Sequence, residues 1–330
     1  MQLNPWKNDV AVLLIFFVRD DVFAQTFEAV RQARPRKLLL WQDGARDNRP
    51  DDIEGIERCR KIADNIDWDC EVHRNYQTHN WGCDPSTFYS HKWAFSLVDK
   101  CIILEDDCVP SQSFFPFCKE LLDKYENDTR INRICGFNHQ GVTPDWPYDY
   151  FFSSTGSVWG WATWKRVADK WDEQYTFADN EVIMREYSYL RKDKAYKNVY
   201  KKMMRHKSLD RPFWESINTY ARLLNGQLNI VATKNLISNV GVGENSTHSA
   251  ASVNLLSGRE KRNFFGETFK FDFPLTHPEY VFDLVRYRRA AVKNKTIWNH
   301  FKSGLIRLKA GDKSLWESVL IHLKIRKSTK

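Results

Sequence analysis

Cys101-Ile102-Ile103-Leu104-Glu105-Asp106-Asp107 decides the reading of this chain: a short apolar run that ends in three consecutive carboxylates. Ile102 to Leu104 have the β-branched, unbroken apolar character of a strand buried on both faces of a parallel sheet. The acids then fall at the strand's C-terminal end, where open α/β sheets bind ligands. Adjacent carboxylates repel one another unless a cation or a hydrogen-bond network compensates. Hard divalent ions such as Mg²⁺ or Mn²⁺ prefer oxygen ligands and typically use one or two carboxylates plus substrate phosphates. The segment is therefore expected to be a metal and diphosphate site. A solvated acidic turn is the plainer alternative, but Pro110 and the helix start at Ser111-Gln112-Ser113 favour the sheet-edge reading.

Upstream of that strand the periodicity alternates. Val10 to Val18 read as a first strand, and Asp21 to Gln32 as a helix with Val22, Phe23, Phe27 and Val30 at helical spacing. Lys37 to Trp41 form a second strand ending in Gln42-Asp43-Gly44; Ile53 to Ile66 read as a helix, Cys70 to Arg74 as a strand and Thr87 to Leu97 as a helix. This β-α-β-α-β-α-β order predicts a mostly parallel central sheet with flanking helices and right-handed crossovers. Asp43 and the acidic triplet then share one edge of the sheet. Neither a GxGxxG nor a GxxxxGK[ST] stretch is present, so a glycine-rich phosphate cradle is excluded and a carboxylate-held metal is the expected way to neutralise a diphosphate.

Downstream, Phe114 to Tyr125 read as a helix, Arg133 to Phe137 as a strand, Phe213 to Leu224 as a helix and Leu228 to Ala232 as a strand. The aromatic, Gly-punctuated stretch Tyr150 to Trp164 is expected to be irregular chain near a site, and residues 180–208 a solvated, charged excursion. Asn235 to His248 read as a Gly/Asn-rich loop.

With 330 residues, of which 42% are hydrophobic and 14% aromatic, the chain can bury a substantial core, and global disorder is excluded. The net charge of +8 is uneven: residues 286–330 hold 13 Lys/Arg against Asp312 and Glu317, a net of +11, leaving −3 elsewhere. Basicity confined to a tail argues against a nucleic-acid partner, which a basic patch on the folded domain would serve. The seven cysteines show no CxxC pair, and the apolar run Val10 to Val18 is cut short by Arg19-Asp20-Asp21. Reduced thiols and a cytoplasmic location are the expectation.

In register along the chain, Trp41-Gln42-Asp43-Gly44, Tyr89-Ser90-His91-Lys92-Trp93-Ala94, Ile103 to Ser111 with Phe114-Phe115, Gly160-Trp161, Phe213-Trp214-Glu215 and Asn239-Val240-Gly241 to Thr247-His248 form an ordered set. On these motifs, residues 8–250 resemble nucleotide-sugar glycosyltransferases of the GT-A fold, and within them bacterial relatives of N-acetylglucosaminyltransferase I. The resemblance implies a GT-A domain over 1–255, a UDP-sugar donor, and Asp107 as the Mn²⁺ or Mg²⁺ ligand of a Glu-Asp-Asp form of the DxD motif. It further implies that Asp43 contacts nucleobase or ribose and that Glu105 and Asp106 line ribose and diphosphate. An inverting mechanism follows, with Glu215 as the general base where the family commonly has Trp-Asp. His91 and Lys92 are read as facing either the donor phosphates or solvent, His248 as a metal ligand, a phosphate contact or a solvated loop residue, and Trp159, Trp161 and Trp164 as either stacking on the acceptor sugar or packing in the core.

The expected function is metal-dependent transfer of a sugar, such as N-acetylglucosamine, to a glycan or lipid-linked glycan in polysaccharide biosynthesis. A sugar nucleotidylyltransferase and an inactive carbohydrate-binding scaffold are the alternatives. Residues 256–330 read as a connecting segment and a basic amphipathic tail. There Trp298, Phe301, Leu305 and Leu308, then Leu315 to Leu323, form apolar stripes flanked by Lys and Arg, which suits peripheral attachment to an anionic membrane surface.

Overall fold

The computed structural model describes residues 9–189, 197–209, 211–242 and 263–293. β1 (Ala11–Phe16), α1 (Asp20–Ala33), β2 (Lys37–Gln42), α2 (Pro50–Ala63), β3 (Glu71–Tyr76), α3 (Cys83–Leu97) and β4 (Lys100–Glu105) alternate as the sequence pattern requires. Local chemistry marks the ends of these helices. Asp20 and Asp21 sit in the first turn of α1 and Arg31 in its last, matching the helix dipole, and Pro50 opens α2 where no amide donor is needed.

The second half reads β5 (Cys108–Pro110), α4 (Phe114–Lys124), β6 (Ile131–Cys135), β7 (Tyr150–Ser153), β8 (Trp161–Trp164), α5 (Lys165–Ala168), α6 (Glu181–Ser188), α7 (Lys197–Lys207), α8 (Trp214–Leu224), β9 (Leu228–Ala232), β10 (Ile237–Asn239) and α9 (Val285–Lys293). Eight strands form one sheet in the order β3-β2-β1-β4-β8-β6-β9-β7, and β10 pairs with β5 in a separate two-stranded ribbon. The run from β3 to β4 is parallel, with Leu14 opposite Leu104 and Ile15 opposite Glu105. β8 enters antiparallel between β4 and β6, placing Trp161 opposite both Ile103 and Cys135.

The strands' two-residue alternation divides the core into two layers. Val12, Leu14, Leu38, Leu40, Ile102 and Leu104 face α1 and α4 through Phe23, Phe27, Phe117 and Leu121. Leu13, Leu39, Trp41, Ile103 and Trp161 face α3 and α8 through Phe88, Phe95, Trp214 and Tyr220.

Three expectations are corrected. Tyr150 to Trp164 is not irregular throughout: its ends are the buried strands β7 and β8, and only the intervening loop is irregular. Residues 180–208 are not a simple solvated excursion, since Met203 of α7 is wholly buried and Tyr200 packs on the α3–α8 layer. Asn235 to Asn239 is not all loop, because Ile237 to Asn239 form β10.

The boundary expected at residue 255 lies outside the described residues, as do His248 and the amphipathic stripes at 298–308 and 315–323. Between them, Phe271 packs 5.4 Å from Phe117, and Leu284 and Tyr287 bury against Phe151 and Val231, so residues 263–293 belong to the same core. Among the described residues, no helix is long and apolar enough to cross a membrane.

Candidate active site

Chain direction across the sheet reverses between β1 and β4, because β1 leads outward to β2 and β3 on one side while β4 lies on the other. Such a switch point opens a crevice at the C-terminal ends of its two strands. Arg19 stands just past β1, and Glu105 to Asp107 end β4. The two sides meet there. One Arg19 Nη donates to Asp106 and, at 3.0 Å, to Asp107, while Nε donates to the second Asp106 oxygen at 3.3 Å. Burial pulls the Arg19 pKa down, but the two carboxylates outweigh it and hold the guanidinium above its usual value.

Glu105 has no such hydrogen-bond partner among the described residues. Burial first, then the fields of Asp107, Asp106 and Glu215, push its carboxyl well above the usual range, so it keeps its proton more readily than a free glutamic acid. Burial also raises Asp106, with Arg19 pulling the other way and Asp107 adding to the rise. The repulsion expected within the triplet is thus relieved by the protein itself, through one guanidinium and one retained proton.

The turn is fixed from two directions. Thr26 Oγ1 of α1 donates to the Asp106 carbonyl at 2.8 Å. Across the β5–β10 ribbon, Asn239 Nδ2 donates to Asp107 Oδ1 at 3.1 Å, and the Val240 amide donates to the Asp107 carbonyl at 2.9 Å. Gly241 comes so close that a Cβ there would stand 2.0 Å from Asp107 Oδ2, so only glycine leaves that carboxylate its space.

Asp43 lies at the C-terminal end of β2, where the parallel order places it. Its carboxylate accepts from the amides of Gly44, Trp81 and Gly82 at 3.0, 2.9 and 3.1 Å, which ties the end of β2 to the segment between β3 and α3. Burial raises its pKa against the pull of those three amides. Gly44 is required for the same crossing, since a Cβ there would lie 2.5 Å from the His79 backbone.

Glu215 is in the first turn of α8, with its side chain 52% exposed and Lys202 Nζ at 3.6 Å. Its field acts on Glu105, Cys83 and Arg133.

The remaining expected site residues sit differently. His91 is wholly buried, ringed by Trp161, Trp171 and Trp214 at 5.2, 5.6 and 5.1 Å, with neither ring nitrogen hydrogen-bonded among the described residues. Burial, then Arg133, lowers its pKa to about 3, and a sealed ring of this kind is not available to donor phosphates. Lys92 points out to Glu173 at 3.2 Å rather than to the acids. Trp161 and Trp164 are core residues, 1% and 2% exposed; Trp161 stacks on Trp214, and Trp164 Nε1 donates to the Leu122 carbonyl at 3.0 Å. Acceptor stacking is therefore withdrawn for both. Trp159 is partly buried between Phe137 and Phe264.

Sequence reading missed Arg19. The signal was present, as a lone cation directly after the first apolar strand, on the edge where the acids end.

Among the described residues, no three His, Cys, Asp or Glu side chains converge into a metal cage. A cation held by one carboxylate and by substrate phosphates needs no such cage. Asp107, reachable at 14% exposure and given room by Gly241, fits that lighter demand.

No protein-family profile and no curated protein matches the chain. Among solved structures it is similar to a UDP-glucose pyrophosphorylase complexed with UDP-glucose, with a TM-score of 0.36, 7% identity, and 69% of this chain and 92% of that chain covered. It is also similar to a 4-diphosphocytidyl-2C-methyl-D-erythritol synthase from Anaerococcus prevotii, with a TM-score of 0.29, 10% identity, and 53% and 78% coverage of the two chains.

Proposed function

We propose that the chain is a metal-dependent, inverting glycosyltransferase of the GT-A type that takes its sugar from a nucleoside diphosphate. The observation that carries this reading is the Arg19–Asp106–Asp107 cluster at the switch point, within the electrostatic reach of a separate, accessible carboxylate on α8. A guanidinium and two carboxylates at one crevice suit a diphosphate and its cation, and an exposed acid nearby suits proton removal.

In this reading Asp107 holds Mg²⁺ or Mn²⁺, which when bound supplies Lewis-acid stabilisation of the departing phosphate charge. Arg19 turns part of its hydrogen bonding from Asp106 and Asp107 to the diphosphate oxygens, and protonated Glu105 offers a donor to ribose or phosphate. Glu215 takes the proton of the acceptor hydroxyl. The acceptor oxygen then bonds to the anomeric carbon from the face opposite the diphosphate, while the bond from that carbon to the phosphate oxygen breaks. The electron pair leaves with the nucleoside diphosphate and the proton rests on Glu215.

The test is a screen of nucleotide-sugars for release of nucleoside diphosphate. Release should require Mg²⁺ or Mn²⁺, stop reversibly in EDTA, and vanish in Asp107→Ala while the circular dichroism spectrum is retained. Full activity in EDTA would overturn the metal role. Release of pyrophosphate from a nucleoside triphosphate and a sugar phosphate would make the chain a nucleotidylyltransferase instead.

A further inference from the structure

Trp161 and Trp164 lie in the core and Trp159 is partly buried, so an acceptor would need a more open ring to rest on. The tyrosine Tyr89 of α3 joins two features that the donor site does not use. On one side it is the end of a ring ladder, 4.9 Å from Trp81, which is itself 4.3 Å from His79. Trp81 is 38% exposed, yet it is held in place: its indole Nε1 donates to Gln77 Oε1 at 3.0 Å, and its backbone amide is clamped by Asp43. On the other side Tyr89 lines a cavity of about 290 Å³, whose wall also includes Glu173, Tyr175, His206, Lys207 and Arg211.

The charges around that cavity are unequally matched. Lys207 pairs with Asp179, and Glu173 with Lys92. Arg211 lies 4.9 Å over the Phe213 ring and has no carboxylate partner among the described residues. His206 stacks on the same Phe213 ring at 3.7 Å and is hydrogen-bonded to Ser216 at 2.7 Å, one residue beyond Glu215. Burial, then Lys202, Arg205 and Arg211, lowers its pKa to about 4, so at neutral pH it is an uncharged hydrogen-bonding ring. The field of Glu215 reaches both His206 in the cavity wall and Cys83, two residues past Trp81. Ser216, which follows Glu215 in α8, thus ties the cavity wall to the helix turn that carries the proposed base.

We propose that Trp81, Tyr89 and this cavity form the acceptor subsite, and that it takes an acidic glycan. An exposed, immobilised indole offers a flat apolar surface to the face of a pyranose ring, and its low mobility keeps the entropic cost of binding small. The cavity's polar wall then receives hydroxyls, and the Arg211 fork, without a carboxylate partner among the described residues, receives a carboxylate, sulfate or phosphate substituent in bidentate geometry. The proposal rests on the glycosyl-transfer reading for its role, but its binding chemistry is testable alone.

The experiment displays the full chain, without donor, on an array of neutral glycans and glycans bearing uronate, sulfate or phosphate groups, in parallel with Trp81→Ala and Arg211→Gln. The wild-type chain should be retained on acidic glycans. Arg211→Gln should lose at least tenfold there and little on neutral glycans, and Trp81→Ala should lose at least tenfold on both. UDP affinity, read by calorimetry, should stay within twofold in both variants, with circular dichroism confirming that each is folded. Retention nowhere, retention on neutral glycans alone, or retention undiminished by both substitutions overturns the proposal. So does a tenfold loss of UDP affinity in Trp81→Ala, which would assign the indole to the nucleobase. Dependence of glycan binding on Trp81 and Arg211 without any sugar transfer would remove the transferase reading and leave the subsite; transfer with substitution-insensitive glycan binding would do the reverse.

Discussion

The turn after β4 and the layer beneath α8 both bury polar groups, but they treat them in opposite ways. At the turn, Asp106 and Asp107 share Arg19, and nearly every oxygen has a donor. Beneath α8, Arg133 is sealed under Trp161 with only its Nη2 engaged, to Asn218 at 2.6 Å, while His91 has no hydrogen-bond partner among the described residues. Charge is matched where the crevice opens and left unmatched where the tryptophans close over it. A matched cluster can exchange one partner for a ligand at modest cost, whereas an unmatched group in a closed layer must avoid charge altogether or be held by the surrounding packing.

The largest expected effect concerns Glu215, on the solvent side of that closed layer. Glu215→Gln should lower kcat by roughly 10²- to 10⁴-fold, as loss of a general base does, while UDP affinity changes little. An unchanged kcat in steady-state assays would mean that α8 only roofs the core and that the base lies elsewhere.

A comparison of guanidinium removals comes next. Arg19→Ala strands two carboxylates and should destabilise the fold by about 3–5 kcal/mol in urea unfolding while weakening UDP binding. Arg133→Met removes a cation that no carboxylate holds among the described residues, and should cost clearly less. Equal costs would erase the distinction between the two regions.

Taken per pH unit, the smallest effect is a pH slope. His91 has a folded pKa of about 3 against an ordinary 6.5, so between those values the unfolded chain binds a proton that the folded chain refuses. Stability from this group is therefore present above pH 6.5 and is lost as pH falls towards 3, by about 1.4 kcal/mol per unit. His91→Phe keeps an aromatic ring among the tryptophans and should flatten that slope in urea titrations. A slope that persists unchanged would show that the ring is not sealed.

The parallel half of the sheet was legible because β1, β2 and β4 are apolar runs separated by helical segments: Lys37 to Trp41 was expected and Lys37–Gln42 is found. The other half was not. β7 and β8 are four residues each, too short to show alternation, and the burial of Trp161 comes from β4 and β6 on either side, which are distant in sequence. β5 is three residues ending in proline and exists only because β10 pairs with it. Of the site, the acids were readable as an edge of charge and Arg19 as a cation after the first strand, but their pairing was not, since the partners lie 87 and 88 residues apart. The tryptophans stayed ambiguous between core and site because composition says that rings are abundant and not which of them are covered.

The ribbon of β5 and β10 carries a consequence for biosynthesis. Asp107 takes its orientation from Asn239 and Val240, 132 and 133 residues later. A nascent chain released after β4, or even after α8, would possess the acidic turn without the strand that aims it. Ribosomal stalling before β10 would thus leave Asp107 without the hydrogen bonds of Asn239 and Val240, so translation through β10, and not merely through α8, is what completes the acidic turn.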